Sequence, residues 1–198
     1  MSRDNWDILL DEARGVHLDH PQLAAFCAFP DDIRRVKVDP HKIPAARLME
    51  GDTALSSRDY AEFRDAFIAC SPEAPWRETY KDTAIGEDFL CRFGCYEVIG
   101  FDSVFRSQQM RSFVVYAPAG LHYTWHHHPA EELYMVVAGE AEFHLEGDPG
   151  RILRSGDTVF HERNRPHAMT THDQPVMAYV LWRNEFNTPP VLTEMGRQ

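Results

Sequence analysis

The chain has 198 residues, of which 43% are hydrophobic and 26% charged, which favours one folded domain over a disordered chain. Acidic residues outnumber basic ones by 31 to 20, and the net charge of −11 argues against a nucleic-acid partner or an anionic membrane surface. No stretch has the length of a membrane span, and the first residues lack the apolar core of a secretory signal. The cysteines are scattered, which predicts free thiols in a reducing cytoplasm: Cys27, Cys70, Cys91 and Cys95.

The first half of the chain carries helical patterns. Apolar side chains recur at helical spacing in three segments, residues 6–14, 21–29 and 57–70. Residues 31–58 are rich in Pro, Asp and Gly, and predict an extended connection. We therefore expect residues 1–198 to form a single domain, in which residues 1–87 are mostly helical and cover one side or the mouth of the remainder.

From residue 88 onward the pattern changes to the alternation that is typical of strands. Five segments predict strands: residues 112–116, 132–137, 140–146, 157–161 and 176–183. The run at 147–150, Gly-Asp-Pro-Gly, predicts a turn. Several short strands separated by turns favour an antiparallel barrel or jelly roll over residues 88–190.

Histidine is the unusual feature of the composition. Eight of the 11 histidines lie between His122 and His172, and three of them are consecutive. Because side chains two apart on a strand share a face, His126 and His128 project together and His127 projects away. The outer two histidines of this triplet are therefore candidate ligands of a metal ion.

The residues that follow the triplet supply oxygen donors. The Pro-Ala pair at 129–130 permits a bend, after which Glu132 and Tyr134 share one face of the next strand. Glu131 competes with Glu132, but the shared parity with Tyr134 favours Glu132. If the two strands pair as a hairpin, imidazoles, a carboxylate and a phenol converge inside the barrel. These are the donors of a divalent transition-metal site, and His167 is the candidate for a further ligand from a later strand.

The other histidines of this region have a simpler interpretation. A single histidine on a strand is more often a surface residue, or a polar residue with its hydrogen bonds satisfied, than a ligand. We interpret four of them as surface residues or as groups behind the ligands: His127, His144, His161 and His172. His122 shares the strand parity of His126 and stays an open candidate.

Two sequence motifs resemble those of the cupins. The first motif, G-x5-H-x-H-x3-E-x6-G, is matched at every spacing by Gly120, His126, His128, Glu132 and Gly139. The second is looser: Gly156 and His167 fit, while Glu162, Asn164 and Thr171 replace the usual Pro, Gly and Asn. The resemblance covers residues 110–185 and implies a double-stranded β-helix barrel, with a metal held by His and Glu.

A narrower resemblance adds an activity. The run at 125–143, W-H-H-H-P-A-E-E-L-Y-M-V-V-A-G-E-A-E-F, is similar to the bacterial cupin dimethylsulfoniopropionate (DMSP) lyases of the DddQ type. It implies one divalent transition metal, either zinc, iron, manganese, cobalt or nickel, held by His128, Glu132, Tyr134 and His167. It also implies that Tyr134 is the catalytic base, and that the substrate pocket includes Tyr123, His126 and Trp182.

The implied reaction splits DMSP, a small zwitterionic sulfonium acid, into dimethyl sulfide and acrylate by β-elimination. A metal on the substrate carboxylate would stabilise the enolate-like transition state and lower the pKa of a bound tyrosine from about 10. Aromatic faces such as Tyr123, Trp125 and Trp182 could accommodate the sulfonium, with core packing the alternative for Trp125. The rival functions are another metal-dependent cupin enzyme, a dioxygenase or an isomerase, and a non-catalytic cupin that binds a small molecule. No feature of the sequence favours one oligomeric state.

Overall fold

The computed structural model describes residues 4–194; residues 1–3, part of the segment analysed for a secretory signal, and residues 195–198 lie outside it. The helices precede most of the strands: α1 (Asn5–Asp19), α2 (Pro21–Phe26), α3 (Pro44–Gly51), α4 (Ala61–Cys70), a 3-10 turn (Ser71–Glu73) and α5 (Glu87–Arg92). Within the described range, no helix is both long enough and apolar enough to cross a membrane.

The first helix shows how local sequence determines these elements. The Asp4 side chain caps α1 by accepting a hydrogen bond of 2.9 Å from the backbone N–H of Asp7. Trp6, Leu9 and Ala13 recur at intervals of three and four residues and are all buried. This apolar stripe packs the helix against α4 and the sheet.

The strands follow in this order: β1 (Arg34–Arg35), β2 (Gly94–Ile99), β3 (Phe105–Arg106), β4 (Arg111–Ala117), β5 (His122–His127), β6 (Glu131–Leu145), β7 (Arg151–Arg154), β8 (Thr158–His161), β9 (His167–Thr170), β10 (Val176–Arg183) and β11 (Val191–Leu192). Their hydrogen-bonded order is β1-β3-β2-β4-β10-β6-β9-β5-β11, with β7 and β8 both paired to β6. All pairs are antiparallel except β2 with β3. This is the predicted cupin barrel.

The long strand β6 belongs to both sheets of the barrel. Its first half pairs with β8 and β10, and its second half pairs with β7 and β9. Gly139 lies at the transition with a φ of +70°, and a Cβ there would lie 1.9 Å from the carbonyl oxygen of Pro175. Only glycine fits this close approach. The two strands predicted at 132–137 and 140–146 are therefore one continuous, bent strand.

The central strands have two buried faces. On β6, Leu133 and Met135 pack in the core between the sheet and the helices. Tyr134 and Val136 belong to a second core inside the barrel. The predicted alternation of faces is confirmed here, and the N-terminal helices cover one side of the sheet.

The structure differs from the prediction in the segments that connect the predicted helices and strands. The supposed extended connection at 31–58 contains α3, because a proline at the first turn starts a helix with a buried face of Ala45, Ala46 and Met49. Helix α5 runs across the expected change of pattern at residue 88, so the strands of the second half begin at Gly94, and one short strand, β1, lies in the first half. The cysteines are free thiols.

Candidate active site

Strand register places three polar side chains in one row inside the barrel. Glu132, at the start of β6, pairs with His161 on β8 and with Trp182 on β10. Because directly opposed residues of an antiparallel pair project to the same face, all three side chains point into the barrel. The Nε1–H of Trp182 donates to Oε1 of Glu132 over 2.5 Å, and Nδ1 of His161 lies 2.6 Å from Oε2. Both oxygens of this buried carboxylate are thus fixed by neighbouring strands.

Two further histidines direct their Nε2 atoms toward the same carboxylate. His128 lies in the turn after β5, and its Nδ1–H donates to the carbonyl oxygen of Ala130 over 3.0 Å. His167 begins β9, and its Nδ1–H donates to the carbonyl oxygen of Arg165 over 2.9 Å. Because a carbonyl oxygen only accepts, each Nδ1 must carry the proton. In the neutral rings the Nε2 atoms are therefore free to bind a metal.

The geometry of this cluster fits a divalent cation. Nε2 of His128 and Nε2 of His167 lie 3.4 Å and 3.2 Å from Oε2 of Glu132. Ligand atoms in a tetrahedral site with bonds of about 2.1 Å lie about 3.4 Å apart. The Nε2 atoms of His128, His161 and His167 are buried without a hydrogen-bond partner, which is unusual for polar atoms inside a protein. Among the described residues, His128, Glu132 and His167 form the group of donor atoms that could hold one ion.

The protonation states in the cluster suit metal binding. Burial by itself raises the pKa of Glu132, but the neighbouring imidazoles outweigh burial and hold that pKa well below 4.5. Burial, followed by the nearby His167, lowers the pKa of His161 to about 4 and that of His126 well below its ordinary value. At neutral pH the carboxylate is ionised and these two imidazoles are uncharged.

Tyr134 lies next to this cluster on the inner face of β6. Its ring centroid is 5.2 Å from that of His161 and 5.5 Å from that of Phe143. Burial, and then the negative charge of Glu132, raises the pKa of Tyr134 well above 10. The phenol therefore stays protonated at neutral pH unless a positive charge lies close to its oxygen.

The residues expected in the substrate pocket lie around one cavity. The rings of Tyr123 and His126 are stacked, with centroids 4.0 Å apart, and His126 lies 4.1 Å from His167. The Tyr123 hydroxyl is 2.8 Å from the hydroxyl of the buried Tyr80. The cavity wall combines these groups with apolar and aromatic side chains: Arg77, Thr79, Phe93, Cys95, Phe113, Val115, Tyr123, His126, His128, Glu132, Tyr134, Val180, Trp182 and Pro190. Two of the three candidate ligands, His128 and Glu132, thus form part of the wall of a mainly apolar pocket.

Comparisons with known proteins identify the family. The profile of the dimethylsulfoniopropionate lyase family matches residues 22–178. Dimethylsulfoniopropionate lyase DddQ of Ruegeria pomeroyi is 50% identical over 185 residues, which are 93% of this chain and 92% of that protein. The chain belongs to the dimethylsulfoniopropionate lyase family.

Solved structures of the lyase family have the same fold as this chain. The crystal structure of DddQ from Ruegeria pomeroyi superposes with a TM-score of 0.95 at 47% identity, covering 100% of both chains. A structure described as that of the DMSP lyases RdDddP and RnDddQII gives a TM-score of 0.92 at 38% identity, covering 96% of this chain and 98% of that chain. The sequence resemblance to lyases of the DddQ type is thereby confirmed.

The strand pairing expected for this lyase-family site is wrong. Strands β5 and β6 do not form a hairpin, because β9 lies between them and pairs with both. His126 is instead the register partner of His167, across β5 and β9. His128 reaches Glu132 through the turn at 129–130 rather than across a hairpin. The candidate ligands come together because β9, which carries His167, lies between β5 and β6 in the barrel.

The structure also separates the candidates that the sequence left open. Glu131 points away from the cluster and accepts a hydrogen bond of 2.7 Å from Arg183. His122 is exposed, with Nδ1 2.8 Å from the Thr170 hydroxyl, on the outer face of β5. Trp125 packs near His144 and is absent from the described lining of the pocket.

Sequence reasoning missed most of the pocket wall. Of the two interpretations given for His161, a surface residue or a group behind the ligands, the structure favours the second, since His161 is buried and bonded to Glu132. Arg77 and Thr79 come from the loop before α5, and no motif marked them. Asn164 stands where the motif has glycine, and it adopts a left-handed conformation with a φ of +56°, which Asn tolerates better than most residues and which glycine adopts readily.

Proposed function

We propose that this chain cleaves DMSP into dimethyl sulfide and acrylate at a divalent metal held by His128, Glu132, His167 and Tyr134. The observation that carries the proposal is the 50% identity to a DMSP lyase across 93% of the chain. The buried donor cluster beside an aromatic pocket supports it. The donor set suits zinc, iron, manganese, cobalt or nickel.

Different residues of the pocket would contact different parts of the substrate. The sulfonium of DMSP carries a positive charge and methyl groups, and the ring of Trp182 offers a cation–π contact of about 0.5–2 kcal/mol. Tyr123, whose ring is stacked on His126, contributes to the pocket wall. The apolar wall around Phe113 and Val180 excludes water from the reacting carbons. A bound cation would supply positive charge for the substrate carboxylate and for the phenolic oxygen of Tyr134.

Tyr134 is the proposed base. Its phenolate takes the proton from the carbon next to the carboxylate, a double bond forms to the neighbouring carbon, and the carbon–sulfur bond breaks with its electron pair leaving on sulfur. The products are acrylate and neutral dimethyl sulfide, so the leaving group needs no acid. Burial and the charge of Glu132 raise the pKa of Tyr134 in the protein alone, which supports a role for a cation in forming the phenolate.

Headspace detection of dimethyl sulfide from purified protein and DMSP tests the proposal. We expect dimethyl sulfide and acrylate in equal amounts, loss of both after treatment with a chelator, and recovery when a divalent metal is restored. Glu132→Gln should abolish release, whereas Glu131→Gln, which changes the adjacent carboxylate outside the pocket, should retain it. A protein that holds metal but releases no dimethyl sulfide would instead indicate one of the other cupin functions.

A further inference from the structure

His161 is a buried histidine to which the proposed reaction assigns no role. It ends β8, directly opposite Glu132 on β6, and its ring centroid lies 4.0 Å from that of His167. Its Nδ1 lies 2.6 Å from Oε2 of Glu132. Because carboxylate oxygens only accept when ionised, Nδ1 carries the proton and donates it to this contact.

The contact determines how the carboxylate faces the other ligands. Oε1 of Glu132 is already bonded to the indole of Trp182, so Oε2 is the oxygen that faces Nε2 of His128 and Nε2 of His167. We propose that His161 is a positioning residue of the metal centre, whose Nδ1–H holds Oε2 of Glu132 where the two imidazole nitrogens converge. The inference rests on the metal centre named in the proposed function.

The geometry favours positioning over direct ligation by His161. Among the described residues, the donor atoms close enough to share one ion belong to His128, Glu132 and His167, and His161 is not in that group. A hydrogen bond from a neighbouring side chain to a ligand is worth about 10–100-fold in metal affinity in other proteins. The same bond also satisfies a carboxylate oxygen that is otherwise buried away from water.

Two substitutions separate the hydrogen bond from the side-chain volume. His161→Asn places an N–H close to the position of Nδ1, whereas His161→Leu has a similar size and no donor. We expect His161→Leu to weaken zinc binding about 10–100-fold and His161→Asn to weaken it less than about 5-fold. Zinc affinity is measured by competition with a chelating indicator, and circular dichroism checks that each variant is folded. If His161→Leu does not fold, His161→Phe, which keeps a ring without N–H, takes its place.

The neighbouring histidine provides a matched control. His127 contacts the Thr193 hydroxyl through Nδ1 and points away from the pocket, so His127→Leu should leave zinc affinity unchanged. The visible spectrum of the cobalt-substituted protein supplies a second readout: it should change in His161→Leu and stay close to that of the wild type in His161→Asn.

The results test the positioning role of His161 independently of the proposed reaction. Equal affinity in the leucine and asparagine variants, or wild-type affinity in the leucine variant, would overturn the positioning role. Zinc binding that depends on the donor, in a protein that releases no dimethyl sulfide, would remove the proposed reaction and leave the role of His161 intact. A wild-type protein that binds no metal would overturn both.

Discussion

The indole of Trp182 contacts two of the proposed metal ligands at once. Its Nε1–H donates to Oε1 of Glu132 over 2.5 Å, and its ring lies 4.3 Å, centroid to centroid, from that of His128. It also lines the pocket. A residue that the family resemblance assigns to the substrate thus also contacts two candidate metal ligands.

Trp182→Phe should weaken metal binding while the fold persists. The substitution keeps an aromatic ring beside His128 but removes the donor to a buried carboxylate oxygen, so we expect about 10–100-fold lower zinc affinity. A competition titration measures it. Trp76→Phe, which removes an indole N–H bonded to Ser71 in the helical layer, is the control and should retain full affinity. Equal affinity in the two variants would contradict the prediction.

Tyr134→Phe should abolish the release of dimethyl sulfide with little change in metal content. The substitution removes only the phenolic oxygen, and His128, Glu132 and His167 remain to hold the ion. Gas chromatography of the headspace and metal analysis of the same sample measure the two properties. Tyr60→Phe removes the same group outside the described pocket lining and should leave turnover intact. Substantial turnover by Tyr134→Phe would exclude this residue as the base.

His17 should make the fold sensitive to mild acid. Burial lowers the pKa of His17 below 6.5, although the hydrogen bond of 2.8 Å from its Nε2–H to the carbonyl oxygen of Cys27 opposes this effect. Because the unfolded chain binds this proton more readily than the folded one, the contribution of His17 to stability is complete above pH 6.5. It is lost as the pH falls through the lower, folded-state pKa.

The measurement is chemical denaturation of wild type and His17→Gln between about pH 7.5 and pH 5. Glutamine has an N–H at a similar position and does not titrate, so its free energy of unfolding should fall less with acid than that of the wild type. The buried histidines of the site remain in both proteins and cancel in the comparison. Parallel curves would show that His17 does not contribute.

Gly139→Ala should be strongly destabilising. The new Cβ would lie 1.9 Å from the carbonyl oxygen of Pro175, and the backbone is left-handed at this position. Gly147 has a φ of +85° with no atom within 4 Å of the added Cβ, so Gly147→Ala costs only the backbone strain, about 1–2 kcal/mol. We expect Gly139→Ala to lower the free energy of unfolding by more than about 4 kcal/mol. Similar losses in a urea titration would mean that the strand moves to relieve the contact.

The parts of the site that could be predicted are those that local sequence determines. His128 and Glu132 are joined by one short turn, so their spacing and parity already indicated a common cluster. The links from Glu132 to His161 and Trp182 span 29 and 50 residues and depend on how β8, β6 and β10 align. A single sequence does not specify that register, and the hairpin considered for β5 and β6 does not form, because β9 lies between these strands.

The fold, like the site, could be predicted only where local sequence determines it. The alternation of apolar residues on the central strands indicated a barrel, but the extent of β6 did not follow from it. Gly139 is typical of a turn in sequence, and in the structure it allows one strand to continue past Pro175 from sheet to sheet. Helix α3 was missed because proline and glycine, which delimit it, are also the residues of loops.

Because β6 belongs to both sheets, a cation bound at the site would stabilise the folded barrel. Glu132 lies on the half of β6 that pairs with β8 and β10, whereas His167 lies on β9, which pairs with the other half. An ion bound by both side chains would cross-link the two sheets of the barrel. A ligand present at 100 times its dissociation constant adds about 2.7 kcal/mol to the stability of the state that binds it. The melting temperature should therefore rise with zinc concentration, and it should fall when a chelator removes the ion.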